Sequence, residues 1–282
     1  GLAFVVTIIG YLAWQSASGL PAAVGLLIGG SLLALVGLRD DVSELGALPR
    51  LLCQIFAVAA VLYLLAPDWS WLIIGLVAFA LLWHINLFNF MDGIDGIAAA
   101  QLLLYCIGTL IVSGGIPGWL GELVWLTAGA GLAFAAFNWP PAKIFMGDVG
   151  SGFLGLLLGF LVVALAEAGF VPFIASLILL TGFWFDASYT LCVRMFTGQN
   201  FASAHRSHLY QILAARRGHR WTTLLFTGVG VLWLLPLAMV ARDIVVQPLE
   251  QPLLAMGLLI SAAAPMAVAA VRYRAGVPIE PR

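Results

Sequence analysis

Apolar residues run along this chain in ten long stretches separated by short polar links, at roughly 1–17, 20–38, 51–66, 70–88, 96–113, 119–137, 151–167, 170–192, 221–241 and 252–271. A helix that crosses a bilayer needs about 20 such residues, so each stretch predicts one membrane-scale helix. The 51–66 stretch is slightly short, and Arg50 and Trp69 are placed to anchor its ends at the interfaces. No soluble insertion and no internal repeat interrupts the pattern. The expectation is a single all-α domain over 1–282, a polytopic transmembrane helical bundle.

Alternating the segments sorts the links into two sets. One set holds 39–50, 88–95, 138–150, 193–220 and the tail from 272. The other holds only short links near 18–19, 67–69, 114–118, 168–169 and 242–251. Eleven of the 12 Lys and Arg residues fall in the first set, and only Arg242 falls in the second. Cytoplasmic loops carry the excess of Lys and Arg, so the first set is assigned to the cytoplasm. Glu122 and Glu167, near the opposite ends, carry no clustered partners in this reading.

Composition sharpens the picture. Hydrophobic residues make up 63% of the chain and charged residues 9%, with a mean hydropathy of +1.08. A soluble domain carries about 25% charged residues and could not hide this much apolar surface. The net charge of -1 provides no basic field for nucleic acid. Cys53, Cys106 and Cys192 are far apart and read as buried hydrophobes rather than a disulfide or zinc set. The opening Gly1-Leu2-Ala3 lacks the charged start of a signal peptide.

Four polar clusters stand out, all in the first set of links. Asp40 and Asp41 end the second segment, where the helix dipole disfavours paired acids unless something positive arrives. Asp41 could otherwise cap a following helix, with Glu44 completing a capping box. Asn86 through Gly96 places Asn86, Asn89, Asp92 and Asp95 between two apolar helices, with Asp-Gly turns at Gly93 and Gly96. Their oxygens suit a hard cation such as Mg²⁺, although Asp95 alone could cap the next helix. Phe137 through Gly152 carries Asn138, Lys143, Phe145, Asp148 and Ser151 in a glycine-rich loop at a helix start. Its backbone N–H groups and Lys143 could meet phosphate, and Asp148 a bridging metal. His205, Arg206 and His208 occupy the longest polar link and suit proton relay, metal or phosphate. A basic interfacial loop accounts for Arg216, Arg217, Arg220 and His219 without any site. His84 reads as a core histidine. Asp186, inside the eighth segment, is either an ion pair with Arg194 two turns on or the floor of a site.

Together the four clusters resemble the polyprenyl-phosphate N-acetylhexosamine-1-phosphate transferase family, which includes the phospho-MurNAc-pentapeptide translocase. The family pattern has a paired Asp, an NxxNxxDGxDG stretch, FNxxPAKxFMGDxGS and a His-containing loop. Here these are Asp40-Asp41, Asn86–Gly96, Phe137–Ser151 and His205–His208. The sequence His205-Arg206-Ser207-His208-Leu209-Tyr210-Gln211 is similar to the bacterial O-antigen-initiating branch and lacks the consecutive histidines of the translocase branch. Gly1-Leu2-Ala3 looks like the tail of a loop after the family's first helix, which implies that a helix precedes it.

The resemblance implies an enzyme of the bacterial inner membrane with its site on the cytoplasmic face. It implies transfer of a sugar 1-phosphate from a UDP-N-acetylhexosamine to polyprenyl phosphate, with Mg²⁺, or Mn²⁺, as cofactor. Asp148 and Asn89 would hold the metal, with Asp92 a further ligand. Asp95, Gly93 and Phe145 would meet uracil. Asn86, Asn138, Lys143 and Arg206 would contact substrate, with Asn138 and Lys143 on the diphosphate. Asp40, Asp41, His205 and His208 would serve catalysis. A homodimer is left open. The alternative is a membrane transporter with an acidic site at its cytoplasmic edge, and the gathering of acids at one edge argues against it.

Overall fold

The structure, a computed structural model, describes residues 1–65, 68–200, 205–244 and 251–277; Glu250, Arg282, Ala204 and the end of the 51–66 segment lie outside them. Among these residues the chain is all helix and turn, a polytopic membrane bundle without strands. The first half comprises α1 (Leu2–Ala17), α2 (Pro21–Val42), α3 (Ala47–Leu65), α4 (Trp71–Met91), α5 (Ile97–Ser113) and α6 (Gly118–Asn138). The second comprises α7 (Gly147–Glu167), α8 (Phe173–Phe196), α9 (Leu209–Arg217), α10 (His219–Val229), α11 (Leu235–Ile244) and α12 (Pro252–Tyr273). A π-helical turn at Gly230–Leu234 joins α10 to α11, so that His219–Ile244 forms one continuous rod. Eight rods are long and apolar enough to cross a membrane, and α1 and α5 are shorter apolar helices.

Each of the ten apolar stretches thus becomes a helix, and the helix ends shift the chemistry. Helix α2 runs on to Val42, so Asp40 and Asp41 sit in its last turn rather than in a loop. Helix α4 continues to Met91 and carries Asn86 and Asn89. Helix α7 starts at Gly147, placing Asp148 and Ser151 in its first two turns. The long link before α10 contains α9, which hydropathy does not reveal because it is only 9 residues long and ends in two arginines.

Helix α7 is the hub. Its most apolar stretch is 89% buried, against 22% for α3. Helices α1, α2, α4, α6 and α8 all pack on it, while α11 and α12 dock on α8. Small residues make the α2–α7 approach close. A Cβ on Gly30 would meet the Phe153 ring at 2.8 Å, and one on Gly37 would strike the backbone of Asp148. Without a hydrophobic drive between helices in lipid, such close van der Waals packing is what holds them together. At Gly37 it also presses the end of α2 against the start of α7, which brings Asp40 and Asp41 to Asp148.

Among the described residues, bonded polar side chains gather at two ends of the bundle. At one end α2, α4, α6, α7, α8 and α10 meet through the bonds described below. At the other, Glu122 accepts bonds from Tyr11 Oη at 2.8 Å and Gln15 Nε2 at 3.3 Å, so this acid has the partners that the sequence did not suggest.

Candidate active site

Asp41 does not cap its own following segment. Its carboxylate crosses to α7 and accepts the free N–H groups of Asp148 at 2.8 Å and Val149 at 3.2 Å. The first N–H groups of a helix lack intrahelical partners, and a carboxylate there satisfies them and opposes the dipole. Asp40, on the same last turn, accepts from Leu45 N at 2.6 Å and from Arg50 Nη1 at 2.9 Å. That pairing accounts for the second acid, and Asp40 also lies within hydrogen-bonding reach of Asp148.

Asn89 is the joint between α4 and α7. Its Nδ2 donates to Asp148 Oδ1 at 2.7 Å and to Ser151 Oγ at 2.8 Å. Burial raises the Asp92 carboxyl to about 8, and the neighbouring charge of Asp148 adds to the rise. Both acids line one cavity, and their negative charge there favours a cation. Asn86 stands apart, exchanging amide bonds with Gln54 at 2.9 and 3.3 Å.

The Gly93–Gly96 turn is tied on three sides. Asp95 Oδ2 accepts from Ala142 N at 3.1 Å, and its Oδ1 lies 3.2 Å from His219 Nδ1. Its carbonyl accepts from Thr223 Oγ1 at 2.8 Å. The α5 N-cap is Gly96, at φ 78, so Asp95 does not cap that helix. Asn138 is buried and spends both ends of its amide, accepting from Gly96 N at 3.0 Å and donating to Ile144 O at 2.9 Å. It therefore fixes two loops against each other.

These groups surround a cavity of about 400 Å³. The carboxylates of Asp41, Asp92, Asp95 and Asp148 line it, with Asn89, Asn138 and Ser151 between them. Gly93 and Phe145 also line it, and Phe145 is 72% exposed, leaving an aromatic face open at the mouth. Among the described residues, His219 is the only basic side chain in the lining. The sequence reading gave His219 to the lipid surface because arginines flank it. The signal that could have separated it is its position directly after Gly218, at the first residue of a helix.

Lys143, Arg206, His205 and His208 are not part of the lining. Lys143 and Arg206 are exposed. The two histidines precede α9 instead of lying on it, yet their rings sit 4.8 Å apart. Burial, then the neighbouring His208 and Arg194, lowers His205 to about 4, so it is neutral at physiological pH. His208 is buried between Phe90 and Tyr210. Beneath them Asp186 accepts from Leu209 N and Tyr210 N, both at 2.8 Å, which caps α9 from inside α8. Asp186 thus meets α9, whereas the guanidinium of Arg194 turns to Gln199 and the carbonyl of Asn200. His84, as a core histidine, accepts from Trp184 Nε1 at 2.9 Å.

Tyr210 carries this support to the cavity. Burial raises its phenol above the usual value, so it is a neutral donor, and Oη gives its proton to Phe90 O at 2.8 Å. The phenol hydroxyl fills the space a Cβ on Gly93 would need. The His-containing motif therefore stands behind the Asp92–Gly93 turn, not in the cavity.

Among the described residues no three His, Cys, Asp or Glu side chains form a ready metal site. Comparison with known proteins places the geometry in context. The pattern of glycosyl transferase family 4 matches residues 23–166. The chain is 36% identical over 118 residues to a phospho-N-acetylmuramoyl-pentapeptide-transferase of Chlamydia trachomatis, covering 40% of this chain and 35% of that protein. It is 27% identical over 246 residues to a probable undecaprenyl-phosphate N-acetylglucosaminyl 1-phosphate transferase of Bacillus subtilis, covering 80% and 68%. It is 35% identical over 167 residues to a decaprenyl-phosphate N-acetylglucosaminephosphotransferase of Mycolicibacterium smegmatis, covering 50% and 40%. The chain thus spans about a third of the length of the chlamydial relative it matches.

Proposed function

The chain belongs to glycosyl transferase family 4, and from that premise we propose that it transfers N-acetylhexosamine 1-phosphate from a UDP-sugar to a polyprenyl phosphate, releasing UMP. The observation that carries the reading is the convergence of Asp41, Asp92, Asp95, Asp148 and Asn89 on one cavity at the end of a membrane bundle. A lipid headgroup and a soluble nucleotide sugar can meet only at such an edge. Acids gathered at one end, rather than at mid-bundle, give a transporter no support.

In the reaction an oxygen of the lipid phosphate attacks the β-phosphorus of the UDP-sugar. The bond between that phosphorus and the bridging oxygen breaks, UMP departs, and a polyprenyl-diphospho-sugar remains. A phosphate monoester has a second pKa near 6, so the nucleophile is already largely dianionic at pH 7. The residues therefore have more to do in positioning and charge balance than in proton abstraction. Asp41 holds the first turn of α7 in place. Asn89 sets the rotamer of Asp148. Phe145 offers its ring to a base at the mouth.

The residues fit a divalent cation held by Asp148 and Asn89, with Asp92 beside them. Mg²⁺ typically takes one or two protein carboxylates and completes its shell with water and substrate phosphates, so it needs no three-residue protein cage. When bound, it would supply charge neutralisation on the diphosphate. We place the site on the cytoplasmic face of a bacterial inner membrane, in the first membrane step of O-antigen-like polysaccharide synthesis. The test is UMP release by the purified protein with undecaprenyl phosphate and a panel of UDP-N-acetylhexosamines. Absence of lipid-dependent release across the panel would overturn the reading.

A further inference from the structure

We propose that His219, oriented by Asp95, is a phosphate-binding residue of the cavity, presenting Nε2–H to the diphosphate of a bound nucleotide. This rests on the reading of the cavity as a nucleotide-sugar site.

The first support is charge. Four aspartates and one histidine stand in the lining, so among the described residues an anionic ligand finds a basic side chain in the lining only at His219. The second is attachment. His219 opens α10, and α10 is fastened to the Asp95 turn on both sides of that residue. Thr223 Oγ1 donates to Asp95 O at 2.8 Å, and Asp95 N donates to His219 Nδ1 at 3.4 Å. The imidazole is thus placed by a rigid helix start rather than by a surface loop. The third is the state of the ring. With Nδ1 accepting the Asp95 N–H, the neutral ring carries its proton on Nε2. With the ring protonated, Nδ1–H donates to Asp95 Oδ1, 3.2 Å away, and Nε2 again carries a proton. An anion at Nε2 selects these two arrangements over the third, in which Nε2 is bare. The imidazole side chain is 46% exposed, and Nε2 has no hydrogen-bond partner among the described residues. Asp95, with 17% of its side chain exposed, then acts as the positioning residue behind the ring.

The experiment is equilibrium binding of UDP and of uridine to the purified full chain and to His219→Ala, His219→Gln and His219→Asn. Gln reaches toward the Nε2 position with an amide N–H, whereas Asn reaches only the Nδ1 position. A hydrogen bond to a charged phosphate predicts that His219→Ala loses about tenfold or more in UDP affinity. Uridine affinity stays at the wild-type level, which also shows that the variant is folded. Gln recovers part of the loss and Asn does not. Wild-type UDP affinity in His219→Ala, or an equal loss for uridine and UDP, overturns the proposal. His219-dependent UDP binding without lipid-dependent UMP release would sink the transfer reading and leave this one standing. Normal UMP release and UDP affinity in His219→Ala would do the reverse.

Discussion

Asp148 takes part in three contacts at once: its backbone is capped by Asp41, its Oδ1 accepts from Asn89, and its carboxyl reaches Asp40. Asp148→Asn keeps the shape and an oxygen for Asn89 but removes one negative charge. If that charge holds a cation against a diphosphate, several kcal/mol of transition-state stabilisation is lost, on the order of a thousandfold in UMP release. The variant should keep its thermal midpoint. Near wild-type turnover with an unaltered Mg²⁺ titration would show that Asp148 is not the ligand. Asp92 gives a complementary pH test. Its folded value, about 8, lies above that of an unfolded carboxyl, so the folded state binds the extra proton between about pH 4 and 8. Stability from this group is therefore present below pH 4 and lost as pH rises through 8. In chelator, Asp92→Asn should be stabilised relative to wild type by an amount that grows from pH 5 to pH 8. A constant difference in thermal midpoint across that range would contradict the assignment.

At the scale of elements the same device appears twice. A carboxylate on one long helix caps the N-terminus of another, from the last turn of α2 where Asp41 caps α7 and from inside α8 where Asp186 caps α9. The first joins segments 107 residues apart and the second joins consecutive helices, each at a point where a lone backbone N–H would be costly. Asp186→Asn turns one acceptor oxygen into a donor facing an N–H. The expected cost is about 1–3 kcal/mol, seen as a lower thermal midpoint in detergent together with reduced turnover. An unchanged midpoint would mean that α9 is held by other means. Tyr210 transmits α9 to the Asp92 turn through its fit against Gly93. Gly93→Ala should abolish most activity, and adding Tyr210→Phe should restore part of it by removing the clashing hydroxyl. Equal activity of single and double variants would place the defect in the turn itself.

Over the whole molecule the site is a seam where α2, α4, α6, α7 and α10 end together. The bonds Asp41–Asp148, Asn89–Asp148, Asp95–Ala142 and Asp95–His219 span 47 to 124 residues of chain and all lie at one end of the bundle. Single cysteines at positions 44, 143 and 216 should accordingly react with an impermeant reagent from the same side of oriented vesicles. Labelling of any two from opposite sides would break the single-edge arrangement.

The sequence by itself determined which stretches become helices, because a bilayer demands long apolar segments with internally satisfied backbone and ten such stretches are plain in the chain. It also determined which links share an end, since alternation and the placement of Arg and Lys leave little choice. The Asp-, Asn- and Gly-bearing motifs were legible for the same reason: polar residues stand out against an apolar background. Tertiary structure alone decided which helix is central. Helices α2, α3, α7 and α12 have mean hydropathy between 2.0 and 2.3, yet their most apolar stretches range from 22% to 89% buried. Lipid tails and neighbouring side chains are equally apolar, so hydropathy cannot tell one surrounding from the other. The partners of the polar groups were also undecided. Asp41 had a local capping reading and Asp186 a pairing with Arg194, and both found backbone N–H groups at the start of another helix instead. His219 entered the cavity lining while His205 and His208 went behind it, because the way α10 and α9 pack against the Asp92–Asp95 turn is fixed by close fit across the bundle and leaves no mark in the local spacing of residues.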